Sequence, residues 1–135
     1  MKKLATVIAV LLIILVACGK KDVTIDDVTK SFKDNQLAVK DLREMKKEDY
    51  GLAPMKAEKA FIFTVVNDQH ARLFKFKDEQ DLKDTEEYYK KLGESSAIFA
   101  SHLYKKGDFL IQANGDISDD TFNKYKKVME KAIEE

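Results

Sequence analysis

Cysteine occurs once in this chain of 135 residues, proline once, histidine twice and tryptophan not at all. One cysteine excludes an intramolecular disulfide, and a lone cysteine needs a reason for its position. The five glycines stand singly, so there is no glycine-rich loop to cradle a phosphate or a dinucleotide. No Gly-x-Ser-x-Gly turn is present to expose a serine nucleophile, and Ser95-Ser96 beside Gly93 reads as a helix-to-strand loop. His70 and His102 lie too far apart for a helical ligand pair, so ordinary structural or surface histidines are expected and no metal site. Charge of one sign is not in excess either: 24 basic residues face 24 acidic ones. That balance gives no bulk attraction to nucleic acid.

What the chain does have begins at its first residues. Lys2 and Lys3 precede a run from Leu4 to Ala17 that carries no charge and only one polar residue, Thr6. Lys20, Lys21 and Asp22 follow at once. A positive segment, an apolar segment and then small residues is the layout of an export signal. A permanent membrane span needs about 20 apolar residues, more than this run supplies.

The run closes on Leu15-Val16-Ala17-Cys18-Gly19. This resembles the lipobox of bacterial lipoproteins, and the chain looks like a small Gram-positive-type member of that class. The resemblance implies cleavage between Ala17 and Cys18 and a diacylglycerol thioether on Cys18. It also implies a mature protein held on the extracytoplasmic face of the cell membrane, with no cofactor beyond that covalent lipid. Two acyl chains anchor stably where one does not. Gly19 is not the aspartate that signals inner-membrane retention in two-membrane bacteria. On this reading residues 1–17 are a signal peptide, 18–22 a short lipidated tether, and 23–135 a single domain. Lys20 and Lys21 then sit at the head groups or simply end the apolar run. The only thiol is spent on the lipid, which excludes a cysteine nucleophile.

Periodicity and caps predict the rest. A first helix is expected over about 25–36, with Thr24 as N-cap, Asp27 closing a capping box, and Val23 and Val28 at the staple positions. Leu37 to Met45 reads as an exposed edge strand. Ala60 to Val66 is β-branched and aromatic, apolar on both faces, and is expected inside the sheet. Asn67-Asp68-Gln69 turns the chain into Arg72 to Lys77, where Phe74 and Phe76 should face the core and Lys75 and Lys77 the solvent. A second helix is expected from Asp78 to Leu92, with Gly93 just past its end. Ile98 to Tyr104 and Phe109 to Ala113 should form a second hairpin. Ser118 should cap a last helix striped by Phe122, Tyr125, Val128, Met129, Ala132 and Ile133. The expected fold is α+β: a mainly antiparallel sheet of four or five strands with three helices, in the order α-β-β-β-α-β-β-α.

Asn114 to Asp120 is rich in acidic residues but fails as a calcium loop. With Gly115 at the sixth position, Leu110, Gln112 and Thr121 stand where acidic ligands belong. Basic and aromatic residues interleave at Phe74 to Lys77, Tyr88 to Lys91, Tyr104 to Lys106 and Lys124 to Lys127. Export and intervening acidic runs point to solvated lysines on amphipathic elements rather than nucleic-acid contacts. With no catalytic residues identified, the function expected is a non-enzymatic binding module, tethered to the membrane and contacting a membrane protein or envelope component. Tyr88, Tyr89 and Tyr104 are contact candidates, with core packing the alternative for Tyr89. A carrier of a small apolar ligand and an envelope hydrolase using paired carboxylates remain as other readings.

Overall fold

The computed structural model describes residues 22–134. Ala17, Cys18 and the rest of the signal and lipobox segment lie outside the described residues. In chain order the elements are α1 (Ile25–Asp34), β1 (Lys40–Glu44), α2 (Lys47–Tyr50), β2 (Lys59–Val66), β3 (Gln69–Lys75), α3 (Glu79–Ser95), a 3-10 turn (Ala97–Phe99), β4 (Ser101–Lys106), β5 (Phe109–Asn114) and α4 (Asp119–Glu134). The five strands form one antiparallel sheet in the order β1-β2-β3-β5-β4. The fold is α+β with the expected element order, plus the single turn α2.

Strand alternation assigns two faces. Phe63, Val65, Ala71, Leu73, Phe109, Ile111 and Ala113 pack under α1 and α4 with Phe32, Phe122, Tyr125 and Met129. Ala60, Ile62, Phe74 and Leu110 point the other way, against Leu82 and Tyr89 of α3 and Met45. The sheet is therefore the middle of three layers. Covering both faces explains the near-continuous apolar run in β2. The two hairpin-then-helix units are not equivalent, because α3 and α4 lie on opposite faces.

Local signals act as expected at the helix starts. Thr24 accepts from Asp27 N (3.1 Å), and the Asp27 carboxylate accepts from Thr24 N (2.9 Å), a complete capping box. Asp78 accepts from Gln80 N (2.8 Å) and Ser118 from Thr121 N (3.2 Å). Helix α1 ends at Asp34, two residues before the expected Gln36, because Gln36 adopts a positive φ of 62°.

Other expectations need correction too. The strand expected from Arg72 already begins at Gln69, which pairs with Val66 instead of belonging to the turn. The first strand is shorter than 37–45. Asp41 has φ 54° and the register shifts between Lys40 and Arg43, so a bulge interrupts the alternation there. Lys75 does not face solvent. It is buried on the α1 side, where its Nζ donates to Val23 O (2.7 Å) and meets the Asp22 carboxylate (3.2 Å). Gly93 is not past the end of α3 but inside it, since the helix runs on to Ser95. A Cβ there would stand 3.3 Å from Ala100 Cα, so the missing side chain serves close packing rather than termination. The second hairpin starts at Ser101 rather than Ile98. Ser96 accepts from Ile98 N (3.3 Å) and winds residues 97–99 into a 3-10 turn.

Asp22, the first described residue, lies at one end of this sheet. Lys75, which holds Asp22, pairs with Phe109 and Lys59 at that end. Gln69, Asn114 and Ser101 mark the opposite end. At about 3.3 Å per residue, Gln69 lies roughly 20 Å from Lys75 along β3.

Candidate binding cleft

Helix α3 leaves part of its sheet face uncovered toward the end opposite Lys75. The gap is a cleft of about 410 Å³. Its floor is polar: Arg72 of β3, Gln112 of β5 and Ser101 of β4. Arg72 and Gln112 are cross-strand partners. Arg72 Nη1 donates to Gln112 Oε1 (2.9 Å), and Gln112 Nε2 donates to Ser101 Oγ (2.8 Å). Arg72 Nε donates to the backbone oxygen of Asp49 (3.3 Å), which fastens α2 over the sheet. Satisfying Gln112 at both ends of its amide is what allows so deeply buried a side chain in this strand.

One wall is α3, with Tyr88, Tyr89 and Leu92; another is Glu48 to Gly51; the third is the 3-10 turn. Tyr88 and Tyr89 meet edge to face at 5.3 Å, and Tyr89 also packs on Phe74 at 6.3 Å. Desolvation raises the Tyr89 phenol pKa, and the Arg72 charge opposes that rise. Desolvation likewise raises Tyr50, with Glu44 and Asp49 adding to it. The Asp49 carboxylate is taken by Arg43 through two bonds of 2.6 and 2.8 Å. Those bonds hold its carboxyl well below the usual range against opposing desolvation, with Lys46 N–H and the Arg43 and Arg72 charges contributing. A general acid needs the reverse shift.

The rim carries exposed apolar side chains. Ile98 is 87% exposed and Phe99 54%. Their turn is held from behind. Gly115 N donates to Ala100 O (2.9 Å), and a Cβ on Gly115 would stand 2.7 Å from that oxygen. Ala100 is thus gripped between Gly93 of α3 and Gly115 of the β5–α4 connection.

Of the residues singled out in the sequence, Tyr88, Tyr89 and the start of the acidic stretch, Asn114 to Asp116, line the cleft, and neither histidine does. Tyr104 lies on the other face, beneath Lys126, whose Nζ is 5.0 Å from the ring. His70 and His102 sit on opposite faces, because His102 pairs with Ala113 and Ala113 with Ala71, the neighbour of His70. His102 stacks on Phe122 at 4.9 Å, with Nε2 2.6 Å from Ile117 O and Nδ1 3.6 Å from Asp119. Ser95 donates to Leu92 O and Ser96 caps the 3-10 turn, local roles in a connection. The stretch Asn114 to Asp120 is a turn and helix start, and no metal-ligand group occurs among the described residues. The interleaved lysines pair locally: Lys90 and Lys105 with Glu86, Lys91 with Glu87, Lys106 with Glu134. Sequence reading missed Arg72, Gln112 and Ser101. Gln112 carries a signal, as a polar residue inside the apolar run Phe109 to Ala113, whereas Arg72 and Ser101 stand in mixed strands that carry none.

Compared with known proteins, the chain matches no family model, no curated protein and no solved structure.

Proposed function

We propose that this chain is a lipoprotein, anchored through Cys18 to the outer face of a bacterial membrane, and that it works there as a non-enzymatic binding module whose binding site is the Arg72 cleft. The observation that carries the reading is the cleft itself: a concave site with a hydrogen-bonded polar floor and two large apolar side chains left in water on its rim. Exposed apolar groups around a cleft mark interaction sites.

The position of the cleft supports the same reading. Cys18 precedes Asp22 by four residues, a reach of about 14 Å. A lipid at Cys18 therefore holds the Lys75 end of the sheet near the bilayer and leaves the cleft end pointing away from it. The partner is then a protein or envelope component standing above the membrane surface.

The test is photo-crosslinking on intact cells. A photoreactive residue replaces Ile98 in one strain and Lys127, on the α4 side, in another. Mass analysis of the N-terminal peptide reads lipidation. The expected result is a lipidated Cys18 and one partner captured from position 98, absent from position 127 and lost in Cys18→Ala. Equal capture from both positions, or an unmodified Cys18, overturns the proposal.

A further inference from the structure

The floor of the cleft holds hydrogen-bond donors that the protein does not use. Arg72 spends Nε on Asp49 O and Nη1 on Gln112, while Nη2 bonds no group among the described residues. No carboxylate of the described residues forms a salt bridge with Arg72, since Asp49 is engaged by Arg43. Tyr89 is only 6% exposed, yet its hydroxyl has no hydrogen-bond partner among the described residues. That hydroxyl is not sealed in, because no fully buried side-chain polar atom lacks a partner. It therefore keeps access to solvent, on a residue that lines the cleft. Ser101 Oγ accepts from Gln112, so its own hydrogen is unspent. Tyr88 and Tyr50 stand on the adjoining walls, also with hydroxyls that have no partner among the described residues. A guanidinium edge and several hydroxyl donors around one small volume match a group that only accepts, and an ionised carboxylate accepts at about four lone-pair sites.

The mouth has the opposite character. Glu48 and Asp116 line it and are both exposed. A bare small anion would pass two negative charges and leave Ile98 and Phe99 uncovered. A chain that ends in a carboxylate, with a cationic residue a few positions earlier, meets every part. The volume, near the lower end of the range of about 300–1,000 Å³ for ligand pockets, admits only the last residues of such a chain.

We infer that the cleft takes the free C-terminal end of a peptide segment, its carboxylate on Arg72, Tyr89 and Ser101, its last apolar side chain against Ile98, Phe99 and Leu92, and an upstream Lys or Arg at Glu48 and Asp116. The inference rests on the binding-module reading and specifies its partner.

The experiment uses the full chain in detergent micelles and fluorescence anisotropy. The probes are labelled pentapeptide pools with lysine at the second position and a C-terminal Leu, Val or Phe, made as free acids and as matched amides. The free acids should bind at least tenfold more tightly than the amides. Arg72→Gln should bring that ratio to about one. Tyr89→Phe should weaken the acids several-fold at an unchanged urea midpoint, because the lost hydroxyl has no partner among the described residues. Replacing the probe lysine by glutamate should weaken binding several-fold. Equal binding of acids and amides, binding of neither, or a preference that survives Arg72→Gln overturns the inference. If position 98 still captures a partner on cells after such a result, the binding module stands and only the chain-end assignment falls.

Discussion

Replacing Gly115 with alanine should destabilise the fold and disturb the cleft rim together. The new Cβ would lie 2.7 Å from Ala100 O and 3.1 Å from its carbonyl carbon. Both are backbone atoms, so no side chain can swing away. Relief requires the 97–100 segment and the β5–α4 connection to separate by several tenths of an ångström. That movement weakens the bond from Gly115 N to Ala100 O, now 2.9 Å. Overpacking of this kind costs about 1–3 kcal/mol. Part of that is offset by the smaller entropy of the unfolded alanine chain, about 0.4–1 kcal/mol. The expected net loss is about 1–2 kcal/mol, or a midpoint about 0.5–1 M lower in urea at a slope of about 2 kcal/mol/M. Gly93→Ala is the internal comparison. Its Cβ meets Ala100 Cα at 3.3 Å, a milder contact, and alanine gains about 1 kcal/mol inside a helix. Gly93→Ala should therefore cost less than Gly115→Ala. Urea unfolding followed by far-UV circular dichroism measures both. A Gly115→Ala midpoint equal to that of the unmodified protein, or the reverse order of the two variants, would refute the account of Ala100 as a clamped residue.

Two further outcomes follow from packing and charge. Phe32 is fully buried and meets the Tyr125 ring edge to face at 5.1 Å and Phe63 at 6.1 Å; Phe32→Ala should cost about 3–5 kcal/mol, and a loss under 1 kcal/mol by urea unfolding would remove Phe32 from the core. Asp49 has a folded-state pKa depressed below its unfolded value, mainly by Arg43, so its stabilisation is complete above the unfolded value near 4 and fades as pH falls toward the folded one. Because the Arg43 side chain is 47% exposed, solvent screening keeps the contribution of the pair small. The stability gap between the unmodified protein and Asp49→Asn should accordingly be smaller at pH 3 than at pH 7, and a gap that widens on acidification contradicts the sign.

Much of the fold was legible in the residues because its causes are local. Thr24, Asp78 and Ser118 cap helices through side chains that reach a few positions along the chain. Ala60 to Val66 reads as a strand because branched and aromatic side chains suit a pleated surface. The misreadings arise where a distant segment decides. Gly93 has the look of a helix terminator, yet Ala100 lies against it and the helix continues. Lys75 alternates as a solvent-facing residue would, yet α1 and the Asp22–Val23 backbone cover it. Alternation separates the two faces of a strand but does not say whether both will be buried.

The amino-acid order by itself determined the element sequence, the hairpins and the helix starts, since each depends on neighbours within a turn or two. Only the tertiary structure decided the cleft. Arg72, Gln112 and Ser101 come from three strands and Tyr89 from a helix, and they meet because the β3–β5 register sets Arg72 opposite Gln112 while α3 packs on that face and leaves the sheet end open. The choice of face follows from burial: α1 and α4 together fill one side of the sheet, so the remaining apolar surface of Ile62, Phe74 and Leu110 is covered by α3.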